Sequence, residues 1–131
     1  MNWSWQAVLR ERGVAWVETA SPAAQAQGLA ETVAAALRDA LASRGEARMA
    51  LSGGRSPIPF LQALACHVLD WEQVKLTLVD ERWVSSDQPE SNERLLRCHL
   101  QPVFDRLHWQ PLYQGVSPAQ DAATAGAALL E

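Results

Sequence analysis

The sequence predicts an α/β fold, a doubly wound and mostly parallel sheet with helices on both faces, formed as one domain over residues 1–131. Three observations carry that prediction. Short apolar runs alternate with longer stretches of helical periodicity, Ser-Pro pairs mark helix starts, and glycine-rich or carboxylate-rich segments fall where the apolar runs end. Strands that alternate with helices return to the same end of the sheet, and this pairs them parallel.

The first apolar run, "VAWVETA" from Val14 to Ala20, has the β-branched and aromatic content of a strand. Ser21-Pro22 then supplies an N-cap and a first helical residue, and from Ala23 to about Arg44 the larger apolar residues Leu29, Val33, Leu37 and Leu41 recur every four positions. This predicts a long amphipathic helix that ends near Gly45 and whose alanine face packs closely. "ARMALS", Ala47 to Ser52, predicts a second strand; it runs into Gly53-Gly54 and then a helix carrying Ile58, Leu61, Leu64, Ala65 and Leu69. Val74, Leu76 and Leu78, continuing into Val79, predict a mostly buried strand ending at Asp80. A polar loop leads to Ser91, which can cap "NERLLRCHL", a helix that stops before Pro102. A short strand is expected near "RLHWQPLY", and Ser117-Pro118 opens a last helix.

Composition narrows the partners. With 131 residues, 11 basic and 15 acidic side chains and a formal charge of −4, the chain has no Lys/Arg cluster. Lys75 is its single lysine, and neither nucleic acid nor an anionic membrane is expected as a partner. No apolar run reaches membrane-spanning length, and "MNWSWQAVLRERG" lacks the apolar core of a leader peptide. Cys66 and Cys98 have no CxxC or metal-ligand spacing and are expected as buried or half-buried free thiols, which fits a reducing cytoplasm. No metal-binding spacing is present.

Two polar clusters fall at predicted strand ends, where ligands bind in doubly wound sheets. In "SGGRS", Ser52 to Ser56, glycines leave N–H groups uncovered before a helix N-terminus, and Ser52, Arg55 and Ser56 add donors suited to a phosphate monoester. A purely structural turn is the alternative. In "DER", Asp80-Glu81-Arg82, a carboxylate can orient a hydroxyl or water and Arg82 can hold a phosphate or a developing oxyanion. An ion pair that fixes the loop is the alternative there, and for Ser91-Asn92 the alternative is simple capping. His67, His99 and His108 lie outside any catalytic context.

The order "ALSGGRSP" and then "DERWVSSDQPESN" resembles the bacterial 6-phosphogluconolactonase family, in the superfamily shared with glucosamine-6-phosphate deaminases. The resemblance runs from the helix after Ser21 to "PLYQG". Deaminases of the superfamily carry "DEY" where this chain has Arg82, which favours the lactonase side. The resemblance implies a Rossmann-like domain that hydrolyses 6-phosphoglucono-δ-lactone in the pentose phosphate pathway, without metal or organic cofactor. It implies that Ser52, Gly53, Gly54, Arg55 and Ser56 line the sugar-phosphate pocket, with Glu81 and Asn92 in its wall. Asp80 and Arg82 are then the catalytic candidates, Asp80 orienting catalytic groups and Arg82 on the phosphate or lactone.

The family's "GxGxDGHxAS"-like motif, whose histidine serves as general base, does not occur in these residues. The chain is therefore expected to be the N-terminal, incomplete part of such a domain, with little turnover alone and an unpaired sheet edge open to self-association. An amino-sugar-phosphate deaminase or isomerase, and a non-catalytic sugar-phosphate-binding domain, are the competing readings.

Overall fold

A computed structural model describes residues 4–130, so the N-terminal segment read as lacking a leader is covered from Ser4 onward. Three strands, β1 (Ala47–Leu51), β2 (Val74–Leu78) and β3 (His108–Trp109), form a parallel sheet in the order β1-β2-β3. Helices α1 (Trp5–Glu11), α2 (Pro22–Arg44), α3 (Ile58–Ala65), α4 (Asn92–His99) and α5 (Pro118–Leu130) complete it. Among the described residues no helix is long and apolar enough to cross a membrane.

β1 and β2 pair in register from Ala47 against Val74 to Leu51 against Leu78. Side chains alternate across a strand, so Ala47, Met49 and Leu51 share a face with Val74, Leu76 and Leu78. This face carries the core, into which α2 sends Ala30, Ala34 and Leu37, α3 sends Phe60, Leu61 and Leu64, and α4 sends Leu96. Right-handed crossovers that step in one direction across a sheet place their helices on one side. The other face presents Arg48 and Ala50 of β1 to solvent and buries Thr77 of β2, whose hydroxyl donates to Gln110 O at 2.8 Å.

The α2 helix starts at Ser21, whose hydroxyl accepts from Ala24 N–H at 3.1 Å, and ends at Gly45, which takes φ 75°. Its buried stripe differs from the expected row of large residues. Leu29 is 49% exposed, and the row Ala26, Ala30, Ala34, Leu37, Leu41 faces inward instead. At 3.6 residues per turn a strict four-residue row drifts around the helix, and one step of three returns the stripe to the core.

Val14–Ala20 is not a strand. Val17 is 80% exposed, and the segment folds back on α1: Val14 N–H donates to Leu9 O at 2.8 Å, and Glu18 Oε1 accepts from Gln6 Nε2 at 2.6 Å and Trp16 Nε1 at 3.1 Å. β-propensity expresses packing on a neighbouring strand, and no strand pairs with this run among the described residues. The α1 helix was not anticipated; Ser4 caps it. α3 ends at Ala65, four residues before Leu69, which is buried from a loop instead. Cys66 and Cys98 are free as expected but exposed, because Cys66 caps the end of α3 and Cys98 faces away from Leu96 on α4.

Candidate functional site

Both polar clusters lie at the carboxyl edge of the sheet. Leu51 and Leu78 are the last ladder partners, and Val79 N–H donates to Leu51 O at 2.9 Å, so Ser52 leaves β1 beside the point where Asp80 leaves β2.

The two glycines serve different needs. Gly54 adopts φ 98°, a left-handed conformation that L side chains resist. Gly53 has ordinary φ, yet a Cβ placed on it would sit 2.0 Å from Asn92 Oδ1 and 2.3 Å from Asn92 Cγ. The first glycine permits close approach and the second makes the turn. Among the described residues, none of the N–H groups of Gly53, Gly54, Arg55 and Ser56 donates to a protein group. The side chains of Ser52, Arg55 and Ser56 are exposed and likewise without protein partners among the described residues. The N-terminus of α3 adds less than the sequence implied: Pro57 supplies no cap, Ile58 N–H returns to Arg55 O at 3.2 Å, and Pro59 has no N–H. The donors are in the loop, not in the helix.

The second cluster is built around α4. Glu81 Oε1 accepts from Asn92 N–H at 2.7 Å and Arg82 N–H at 2.8 Å, and Oε2 accepts from Glu93 N–H at 2.9 Å and the Ser91 hydroxyl at 3.4 Å. A carboxylate at a helix N-terminus satisfies its open N–H groups and complements its dipole. Ser91 adds the expected cap, accepting from Arg94 N–H at 3.1 Å. Asn92, buried, donates from Nδ2 to Asp80 O at 3.1 Å while its other amide atom rests on Gly53. It therefore joins the two clusters. The Asp80 carboxylate is exposed and has no hydrogen bond or ion pair among the described residues. Among the described residues the Arg82 guanidinium makes one hydrogen bond, from Nη1 to Glu90 O at 3.1 Å, and the side chain is exposed. The loop beyond it is held internally: Ser85 first, then Gln88, hydrogen-bond the Asp87 carboxylate and keep it below the usual carboxylate range.

Next to Glu81 and Arg82 lies a cleft of about 150 Å³, walled by Trp83, Leu112, Tyr113, Pro118 and Ala122. The Trp83 and Tyr113 rings meet edge to face, with centroids 6.0 Å apart. At its back, Asp121 is buried, and its Oδ2 accepts from Gln114 N–H at 2.7 Å, Gly115 N–H at 3.1 Å and Trp83 Nε1–H at 3.4 Å. Burial pushes its carboxyl upward, but hydrogen bonds from Gln114, Trp83, Val116 and Gly115 outweigh that and hold it below its ordinary value. The sequence reading missed Trp83, Tyr113 and Asp121. The available signal was Asp121 itself, the single charged residue in the alanine-rich α5.

The histidines are elsewhere. His67 follows α3 and His99 ends α4, and helices that return from one strand to the next end at the opposite, amino edge of a parallel sheet. His108 begins β3 at that same edge. Among the described residues no group of three or more His, Cys, Asp or Glu side chains is arranged to hold a metal ion.

A family profile described as glucosamine-6-phosphate isomerases/6-phosphogluconolactonase matches residues 20–131. The chain is 44% identical over 104 residues to a 6-phosphogluconolactonase of Pseudomonas aeruginosa, an alignment covering 79% of this chain and 44% of the relative. It is 48% identical over 100 residues to one of Neisseria meningitidis serogroup A, covering 76% and 43%. A solved structure of a 6-phosphogluconolactonase from Shewanella baltica superposes with a TM-score of 0.77 at 37% identity, covering 83% of this chain and 48% of that one. The chain thus aligns with less than half the length of each of these proteins.

Proposed function

The chain belongs to the glucosamine-6-phosphate isomerase/6-phosphogluconolactonase family, and from that premise we propose that it supplies the sugar-phosphate-binding part of a site that hydrolyses 6-phosphoglucono-δ-lactone to 6-phosphogluconate. The observation that carries the proposal is the run of four consecutive N–H groups, Gly53 to Ser56, without protein acceptors among the described residues, at the carboxyl edge of the sheet. Successive open amides form an anion-binding concavity, and the Arg55 guanidinium and the Ser52 and Ser56 hydroxyls extend it.

Each residue then has a task. Ser52, Gly53, Gly54, Arg55 and Ser56 hold the phosphate. Arg82, exposed and braced from Nη1 to Glu90 O, stabilises the oxyanion that forms when water adds to the lactone carbonyl. Asp80, whose exposed carboxylate has no hydrogen bond or ion pair among the described residues, orients that water. Asn92 is the shared wall, and Glu81 acts from behind by fixing the start of α4. As the tetrahedral adduct collapses, the ring C–O bond breaks and the leaving alkoxide takes a proton. A base must accept the proton of the attacking water, and no histidine lies at this edge among the described residues. We place that base in the part of the relatives' length that this chain does not span, so the 131 residues bind ligand without appreciable turnover.

Calorimetry tests the reading. The chain is expected to bind 6-phosphogluconate at least tenfold more tightly than gluconate, and Arg82→Ala to weaken that binding about tenfold, which is roughly 1.4 kcal/mol. Equal affinity for gluconate would sink the phosphate pocket. Rapid hydrolysis of the lactone by the chain itself would show that the base is already present. Release of ammonia from glucosamine 6-phosphate is not expected.

A further inference from the structure

The Asp121 carboxylate is 2% exposed in a helix of small apolar residues. A buried charge is unfavourable unless donors surround it, and the donors here are informative. Trp83 follows Arg82 in the chain, Gln114 and Gly115 follow Tyr113, and Asp121 lies one turn inside α5, whose Pro118 and Ala122 form the third side of the cleft. One oxygen, Oδ2, therefore ties together all three walls. The helix does not need Asp121 for its own start, because the Ser117 hydroxyl already accepts from Gln120 N–H at 3.2 Å. The cleft itself, at about 150 Å³, is smaller than the roughly 300–1,000 Å³ of drug-sized sites and suits the carbohydrate part of a single sugar phosphate.

We propose that Asp121 is a positioning residue for the ligand site: it holds Trp83 and the Tyr113 loop so that the cleft beside Arg82 offers an aromatic wall to the carbohydrate moiety of a sugar phosphate. The inference rests on the sugar-phosphate reading of the site. The phosphate is recognised by the loop from Gly53 to Ser56, and the carbohydrate moiety by the Trp83–Tyr113 cleft. Asp121 touches only the second. Removing it therefore weakens binding of the whole ligand while leaving recognition of a bare phosphate intact.

Amide and indole nuclear magnetic resonance spectra of the full chain test this, with the Trp83 indole signal assigned through Trp83→Phe. In the wild type, 6-phosphogluconate is expected to move the Trp83 indole signal and inorganic phosphate to leave it in place. In Asp121→Ala the unliganded indole signal is already displaced, affinity for 6-phosphogluconate falls about tenfold, and affinity for inorganic phosphate is unchanged. Asp121→Asn, which keeps one acceptor oxygen in the same shape, lies between the two, and it carries the comparison if the alanine variant does not fold. Unchanged affinity for 6-phosphogluconate, or an equal loss for both ligands, overturns the positioning role. Wild-type protein that binds 6-phosphogluconate no more tightly than inorganic phosphate overturns the sugar-phosphate reading itself, and with it the proposal; that result is read before any substitution is made.

Discussion

Gly53→Ala tests the joint between the two halves of the site. The new Cβ would lie 2.0 Å from Asn92 Oδ1, 2.3 Å from Cγ and 2.9 Å from Nδ2, well inside van der Waals contact. These atoms end a side chain and can move, so the penalty is set by what the movement breaks. Asn92 is buried and donates to Asp80 O at 3.1 Å. Displacing it leaves a buried amide and a carbonyl without that bond, which costs about 1–3 kcal/mol. For a chain of this size that is a fall in Tm of roughly 4–12 °C, read by thermal or urea unfolding. The decisive measurement is a double-mutant cycle with Asn92→Ala, which removes all three clashing atoms. Gly53→Ala in the Asn92→Ala background should cost less than in the wild type by about 1 kcal/mol or more. Strict additivity of the two substitutions would refute the close-approach account of Gly53.

Other consequences follow from the same contacts. Glu81→Ala removes the acceptor of three backbone N–H groups around the start of α4 and is expected to destabilise the fold by about 1–3 kcal/mol, measured by urea unfolding; a loss confined to ligand binding would assign Glu81 to the substrate instead. The Asp121 carboxyl is held below its ordinary value in the folded chain, so its stabilising effect is fully present above the unfolded-state pKa of about 3.9 and is lost as pH falls through the lower folded value. The stability gap between wild type and Asp121→Asn should therefore stay level from neutral pH down to about pH 4 and close only below it, as followed by unfolding at stepped pH.

Local chemistry made several elements legible. Ser21-Pro22, Gly45, Ser91 and Ser117-Pro118 mark helix ends through capping and fixed φ, which depend on neighbours within four residues. β1 and β2 were legible from their apolar runs, and the placement of "SGGRS" and "DER" at one sheet edge followed from their being parallel. "VAWVETA" was misleading because strand content has meaning only with a partner strand. The buried face of α2 was legible as alanine-rich but not in its register, since which stripe of a helix faces inward depends on what packs against it.

The sequence by itself determined the α/β alternation, the helix starts and the identity of the two polar loops, because each is encoded in short-range patterns of apolar, capping and turn residues. The tertiary structure decided what those loops are made of. Gly53 is there for Asn92, thirty-nine residues away, and Glu81 serves a helix that begins eleven positions later. Asp121 reaches back thirty-eight residues to Trp83. Such contacts join residues whose spacing has no period, and only the parallel sheet, by returning each crossover to the same edge, brings them within hydrogen-bonding distance.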